Sequence, residues 1–239
     1  MKKLINFLFY ILIINILVSL LLILDVSSSK NNIHSDIIES LSNNDNYNLI
    51  VQILKDTNKE DFIRYIDYMQ LDIHKNLENG PNKYIAFSIR LPQNKSFISF
   101  YIKNEDHTYS FDSIVDNLDD INEFYFYKDF LVVEQKCEDE TTYSNDKKFI
   151  EIFYQEGLKY SSKLKKDLYF EKIDLKSSDK IKVSGSMDFL DDYPPQILYV
   201  STISSNDNSF SKDISKELYI WDNDLKQFTM SQKENFDDN

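Results

Sequence analysis

The sequence predicts an α+β protein: an N-terminal membrane helix, three short amphipathic helices, then a mainly antiparallel β sheet or sandwich. Three observations carry this. An apolar run spans Leu4 to Leu24. A helical hydrophobic period follows between residues 33 and 80,. From Tyr84 the period changes to two, the alternation of a half-buried strand,.

The apolar run is broken by Asn6, Asn15 and Ser19, follows Lys2 and Lys3, and precedes Asp25. About 20 helical residues cross a bilayer core. The positive-inside rule then leaves the N-terminus in the cytoplasm and the body outside. Signal-peptide apolar regions are shorter, about 7–15 residues, which favours an uncleaved signal anchor. Val26-Ser27-Ser28 nevertheless has the residues a signal peptidase reads, so a secreted form cut near Ser28 is the competing expectation. Residues 1–26 are therefore a signal peptide or anchor, with the membrane as partner through residues 4–24. With no cysteine at the boundary, lipoprotein processing is excluded.

Residues 27–32 read as a polar linker and 33–80 as the helical region. Ile33, Ile37 and Leu41 mark a first helix; Tyr47, Ile50 and Leu54 mark a second. In the third, Thr57 and Glu60 form a capping-box pair. Phe62, Ile66, Met69, Ile73 and Leu77 make its stripe, and Gly80-Pro81 stop it,.

Residues 83–230 form the β-rich region, with 137–147 as a candidate internal boundary. Ile85, Phe87, Ile89 and Leu91 alternate with Tyr84, Ala86, Ser88 and Arg90; Ile98, Phe100 and Ile102 share a face of the next strand. Ile114, Leu118 and Ile121 suggest a short helix over 112–121. Glu123 to Gln135 reads as a hairpin turning at Lys128-Asp129, and strands recur at 148–154, 168–173, 181–183, 197–203, 218–221 and 227–230. Short strands with tight links imply antiparallel pairing. Residues 231–239 read as a polar, frayed tail.

Composition narrows the function. The chain has 239 residues, so about 210 follow the leader, enough for one large or two small cores,. Aromatic residues at 14% rule out disorder and suit pleated surfaces,. With 3 glycines, phosphate-binding loops and Rossmann fingerprints are disfavoured,. A net charge of −13 makes nucleic acid a poor partner,. The lone Cys137 cannot form an internal disulfide, and its acidic neighbours Glu138, Asp139 and Glu140 disfavour the thiolate,.

No catalytic constellation emerges. His34, His74 and His107 lie far apart without zinc spacing,. His74 is expected near the polar face of the third helix. Ser184-Gly185-Ser186 lacks a nucleophile-elbow pattern and reads as a turn or bulge. Carboxylate pairs such as Asp119-Asp120 and Asp222 with Asp224 are frequent among 40 acidic residues and imply no cleft geometry,. Asn94-Lys95-Ser96 fits a glycosylation sequon,.

The sharpest local signal runs from Asp188 through Asp191-Asp192-Tyr193-Pro194-Pro195-Gln196 into Ile197–Val200, followed by Leu218–Phe228. Acidic residues, a turn and an apolar strand in this order resemble a single calcium-loop-and-strand unit of FG-GAP or VCBS-type repeats, over residues about 186–230. Leu190, Tyr193 and Gln196 depart from that pattern. The resemblance implies calcium as the candidate cofactor, with Asp188, Asp191 and Asp192 as ligands. Trp221, the single Trp, is expected to pack in the core of its hairpin, and is the candidate interaction anchor if it does not,. The leading expectation is an exported or membrane-anchored, non-enzymatic ectodomain that binds a protein or envelope component. A secreted hydrolase using carboxylates distant in sequence and a calcium-stabilised β module are the alternatives.

Overall fold

Period-two alternation governs far more of the chain than its hydrophobic stripes suggest. The computed structural model describes residues 32–35, 38, 46–92, 95–137, 147–173, 180–205 and 212–238. They contain thirteen strands: β1 (Ile33–His34), β2 (Gln70–Asn79), β3 (Asn82–Leu91), β4 (Lys95–Lys103), β5 (Thr108–Leu118), β6 (Asp120–Tyr127), β7 (Phe130–Cys137), β8 (Lys147–Glu156), β9 (Lys159–Ile173), β10 (Lys180–Leu190), β11 (Gln196–Ser205), β12 (Lys212–Asp222) and β13 (Gln227–Asp238). Two helices accompany them, α1 (Tyr47–Asp56) and a 3-10 helix (Glu60–Tyr68).

The α+β expectation is therefore corrected to a mostly β protein. The second predicted helix exists as α1. Of the first, Ile33 lies in β1 and pairs with Tyr109 of β5, Ser35 and Ile38 are helical, and Ile37 and Leu41 lie outside the described residues. The third becomes the 3-10 helix followed by β2. Met69, Leu71 and Ile73 contact one core while the intervening Asp72 and His74 face the other side. Asn76 has φ 60 where the ladder slips between His74 and Leu77, which delivers Leu77 to a different core. Thr57 does not cap: its hydroxyl donates to the Ile53 carbonyl at 2.7 Å. Gly80 turns a hairpin at φ +59 instead of stopping a helix,.

The predicted helix over 112–121 is likewise the end of β5 and the start of β6. Among the described residues no helix is long and apolar enough to cross a membrane. The predicted membrane helix at 4–24, the linker at 27–31 and the sequon residue Asn94 lie outside the described residues, as does the 138–146 segment. Residues 231–238, expected to fray, continue β13, where Lys233 pairs with Glu217 and Phe236 with Ile214.

The strands run β13-β12-β11-β10-β9-β5-β4-β3-β2, and a branch β9-β8-β7-β6 leaves the same path. Pairing is antiparallel except for one parallel bridge, Ile114 to Lys159. The bends in this path stack four layers around three cores. α1 and the 3-10 helix cover one face of β3 and β4, meeting Ile85, Phe87, Ile89, Phe97 and Tyr101. The other face of those strands presents Tyr84, Ala86, Ile98 and Phe100 to Phe124, Leu131, Val133 and Phe153 of β6, β7 and β8. The far side of β7 and β8 brings Phe130 and Ile152 against Ile197, Tyr199, Tyr219, Trp221 and Phe228. β3 and β4, read from sequence as half-buried, are thus buried on both faces.

Two polar contacts hold the layers in place. The Tyr101 hydroxyl, in a fully buried side chain, donates to Asp56 Oδ2 at 2.9 Å and so ties α1 to β4. Burial, reinforced by the Asp56 charge, pushes that phenol well above its ordinary pKa, so it stays a donor,. In the outer layer Gly185 lies mid-strand in β10, not in a turn. A Cβ there would collide with the Asp167 carbonyl and sit 2.7 Å from Tyr199 Oη. That hydroxyl donates to the same carbonyl at 2.6 Å. Glycine is needed here for the close passage of β9.

Candidate binding cleft

The face that β2 and β3 turn toward the middle layer changes character along its length. Ala86, Phe100 and Ile98 fill the second core. Nearer the sheet edge, Gln70 stands opposite Arg90, Asp72 opposite Ser88, and Arg90 opposite Ser96. β6 is itself an edge strand of the middle layer, pairing with β7. It passes this polar end with Asp120, Ile121 and Phe124. Between the two edges lies a cleft of about 400 Å³. That volume falls within the about 300–1,000 Å³ typical of small-molecule sites.

His74 occupies the inner wall. Its Nε2 lies 3.0 Å from Ser88 Oγ, and its ring meets Phe124 edge-on at 4.5 Å between centroids. Burial lowers the imidazole pKa, against the upward pull of Asp72. The ring is therefore neutral at physiological pH and does not cancel the Asp72 charge. Ser88 and Ser96 are buried, while Asp72 and Gln70 on the edge strand are exposed.

The mouth is organised by charge. Asp120 receives Arg90 at 3.5 Å and Lys136 at 3.3 Å, and Asp119 is contacted by Lys95. Gln135 Oε1 accepts from the Asp119 backbone amide at 2.8 Å, and its amide donates to Glu151 at 3.0 Å, which fixes the β5–β6 corner. Glu123 and Asn122 form the rim where the β6–β7 ladder slips. The cleft offers donors from Arg90, Gln70 and Asn122 and acceptors from Asp72 and Asp120, with an apolar inner wall. Such a mixture can orient a small polar molecule.

The candidates named from sequence lie elsewhere. Asp188 is on β10 opposite Leu198, while Asp191 and Asp192 follow in the link to β11. Asp191 Oδ1 and the Leu190 carbonyl both accept from Tyr127 at 3.3 Å. Among the described residues, no three His, Cys, Asp or Glu side chains gather as a metal-ligand set. Trp221 is a core residue: it packs edge-on to Phe130 at 4.8 Å and its indole donates to Asn223 at 2.9 Å. His34 and His107 are on β1 and in the β4–β5 turn. Cys137 closes β7, half-buried.

Sequence reasoning missed the cleft residues. Their signal was the alternation Gln70, Asp72, His74 against Met69, Leu71, Ile73, hidden under a four-residue stripe. Comparison of the chain with protein-family models, curated proteins and solved structures gives no match.

Proposed function

We propose that this chain is a non-enzymatic binding protein that works outside the cytoplasm, delivered by its apolar leader. Its ligand site is the cleft between β2, β3 and β6. The observation that carries this reading is the convergence, at two strand edges, of polar side chains of both hydrogen-bonding senses around about 400 Å³ of space,. The purified full chain is the material for the test. A library of sugars, amino acids, nucleosides, carboxylates and phosphates is screened by thermal unfolding. A ligand at a hundredfold its Kd stabilises by about 2.7 kcal/mol. At least one class should raise Tm, and Arg90→Gln should abolish the shift. A shift unchanged in that variant would overturn the assignment of the site.

A hydrolase is the second reading, and one observation favours it: Asp72 and Asp120, distant in sequence, share the cleft with the Ser88–His74 pair. Against it, Ser88 sits in a regular strand, with none of the strained turn that exposes a nucleophile,. Asp120 is engaged by two cations. Turnover in a broad hydrolase screen, lost in Asp72→Asn, would reverse the order of the two readings.

A further inference from the structure

Ser96 is 3% exposed and lines the cleft, yet its hydroxyl has no hydrogen-bond partner among the described residues. A buried hydroxyl without a partner forfeits the bonds water would give it, so it asks for an occupant of the space it faces. Ser88, also buried, differs: its Oγ lies 3.0 Å from His74 Nε2. Charge is left over at the rim in the same way. The cations of the mouth sit on Asp119 and Asp120: Lys95 on the first, Arg90 and Lys136 on the second. Asp72 on β2 and Glu123 on β6 also line the cleft, and neither has an ion pair among the described residues. His74 is uncharged at neutral pH and does not neutralise Asp72. Glu134 stands opposite Glu123 in the β6–β7 ladder and adds to its negative field. Between these two strand edges, Ile121 and Phe124 supply an apolar wall.

From the unpartnered hydroxyl and the two unpaired carboxylates we infer that the cleft takes a hydroxylated primary amine, of the amino-alcohol or amino-sugar kind. The ammonium lies at the rim with Asp72 and Glu123, the carbon body runs along Ile121 and Phe124, and a ligand hydroxyl meets Ser96. The inference rests on the cleft being the binding site. It adds the ligand's charge, its second polar group and the orientation in which it is held. A ligand bearing only a carboxylate or phosphate is disfavoured, because Asp72 and Glu123 would repel it,.

The test titrates the full chain calorimetrically with glucosamine, galactosamine and short-chain amino alcohols, beside their N-acetyl forms and the alkylamines of equal length. Acetylation removes the positive charge; the alkylamines lack the hydroxyl. At least one hydroxylated amine should bind, and its N-acetyl form should bind about tenfold to a hundredfold more weakly, the scale of one charged hydrogen bond. Binding by amino sugars alone or by amino alcohols alone supports the inference and names the source. Asp72→Asn and Glu123→Gln should each weaken the free amine and leave the N-acetyl form unchanged. Ser96→Ala should erase a preference of about threefold to tenfold for the hydroxylated amine over the alkylamine. It should leave the ligand-free Tm unchanged, because an unpartnered hydroxyl contributes no native bond. Such matched losses form double-mutant cycles, which a purely structural role would not produce. If no amine binds, the ligand class is overturned; neutral or anionic compounds that bind instead, and are lost in Ser96→Ala, would leave the cleft reading standing. Amine binding that all three variants retain would overturn the site as well.

Discussion

Replacing Gly185 by alanine tests the account of how the outer layer meets the middle one. The added methyl would overlap the Asp167 carbonyl, sit 2.7 Å from Tyr199 Oη and sit 2.9 Å from its ring edge. Tyr199 can swing away, but the carbonyl belongs to the β9 ladder and cannot. Overpacking of this kind costs about 1–3 kcal/mol, and losing the Tyr199 bond to Asp167 adds about 1 kcal/mol. The expected destabilisation is therefore about 2–4 kcal/mol, or roughly 5–15 °C in Tm for a chain of this size. Urea unfolding followed by circular dichroism and by Trp221 fluorescence measures it. The indole sits in the third core, so its emission reports the affected interface. Gly185→Ala/Tyr199→Phe separates the clashes: it relieves the hydroxyl contact and leaves the ring-edge and carbonyl contacts, so most of the loss should remain. A single variant within about 0.5 kcal/mol of wild type, the range of an ordinary surface substitution, would refute the close passage.

Three further outcomes follow from groups already described. Glu217, buried in the outer layer, works against its desolvation by accepting from Lys166, from Tyr219 at 2.7 Å and from Lys233 at 2.9 Å, and its pKa falls to about 2. Its folded-state pKa lies below the ordinary 4.5, so its contribution is complete above pH 4.5 and is lost as the pH falls toward 2,. Glu217→Gln should remove about 2–3 kcal/mol at pH 7 and flatten the acid limb of a stability–pH curve. His74 is lowered from 6.5, so the unfolded chain takes its proton first; stability should drop as the pH falls below 6.5, and His74→Gln should lose that slope,. Denaturant titrations across pH 5–8 check it. Tyr101→Phe leaves the Asp56 carboxylate one donor short beneath α1 and should cost about 1–3 kcal/mol,. Hydrogen exchange should show the α1 amides opening more readily than those of β3.

The β character from Tyr84 onward was legible, apart from residues 112–121, because polar residues alternate with large apolar ones, as at Phe87 to Leu91. The segment from Thr57 to Leu77 was misleading for a specific reason. Positions 62, 66, 69, 73 and 77 satisfy a helical stripe, but the chain divides them among a 3-10 turn, two strand faces and a register slip at Asn76. Asn76, His107, Asn117, Lys128 and Lys226 all take positive φ without glycine, so the turns and slips they make carry no glycine signal. The layering was not legible at all. Nothing local marks β3 as covered on both sides, since Ser88 and Arg90 look like a solvent face until β6 is placed over them. The cleft shares that cause: its walls come from residues 70–90 and 120–124, joined by topology alone. Trp221, open from sequence to an anchor role or to core packing of its hairpin, takes the second, and Ser184-Gly185-Ser186, read as a turn or bulge, proves to be a strand packed tightly on β9.

The stacking of layers also sets an order in which danger arises while the chain is being made. β2 to β5 are complete some thirty residues before β8 exists. Until β6 and β7 emerge within that interval, Ala86, Ile98, Phe100 and Val115 have helices on their far side and nothing on their near side. A nascent chain halted there would expose a flat aromatic face bounded by the unpaired edge of β2, a surface that favours aggregation. Passage across a membrane before folding would let β6 to β8 arrive with the rest, so that the first durable structure already has both faces covered.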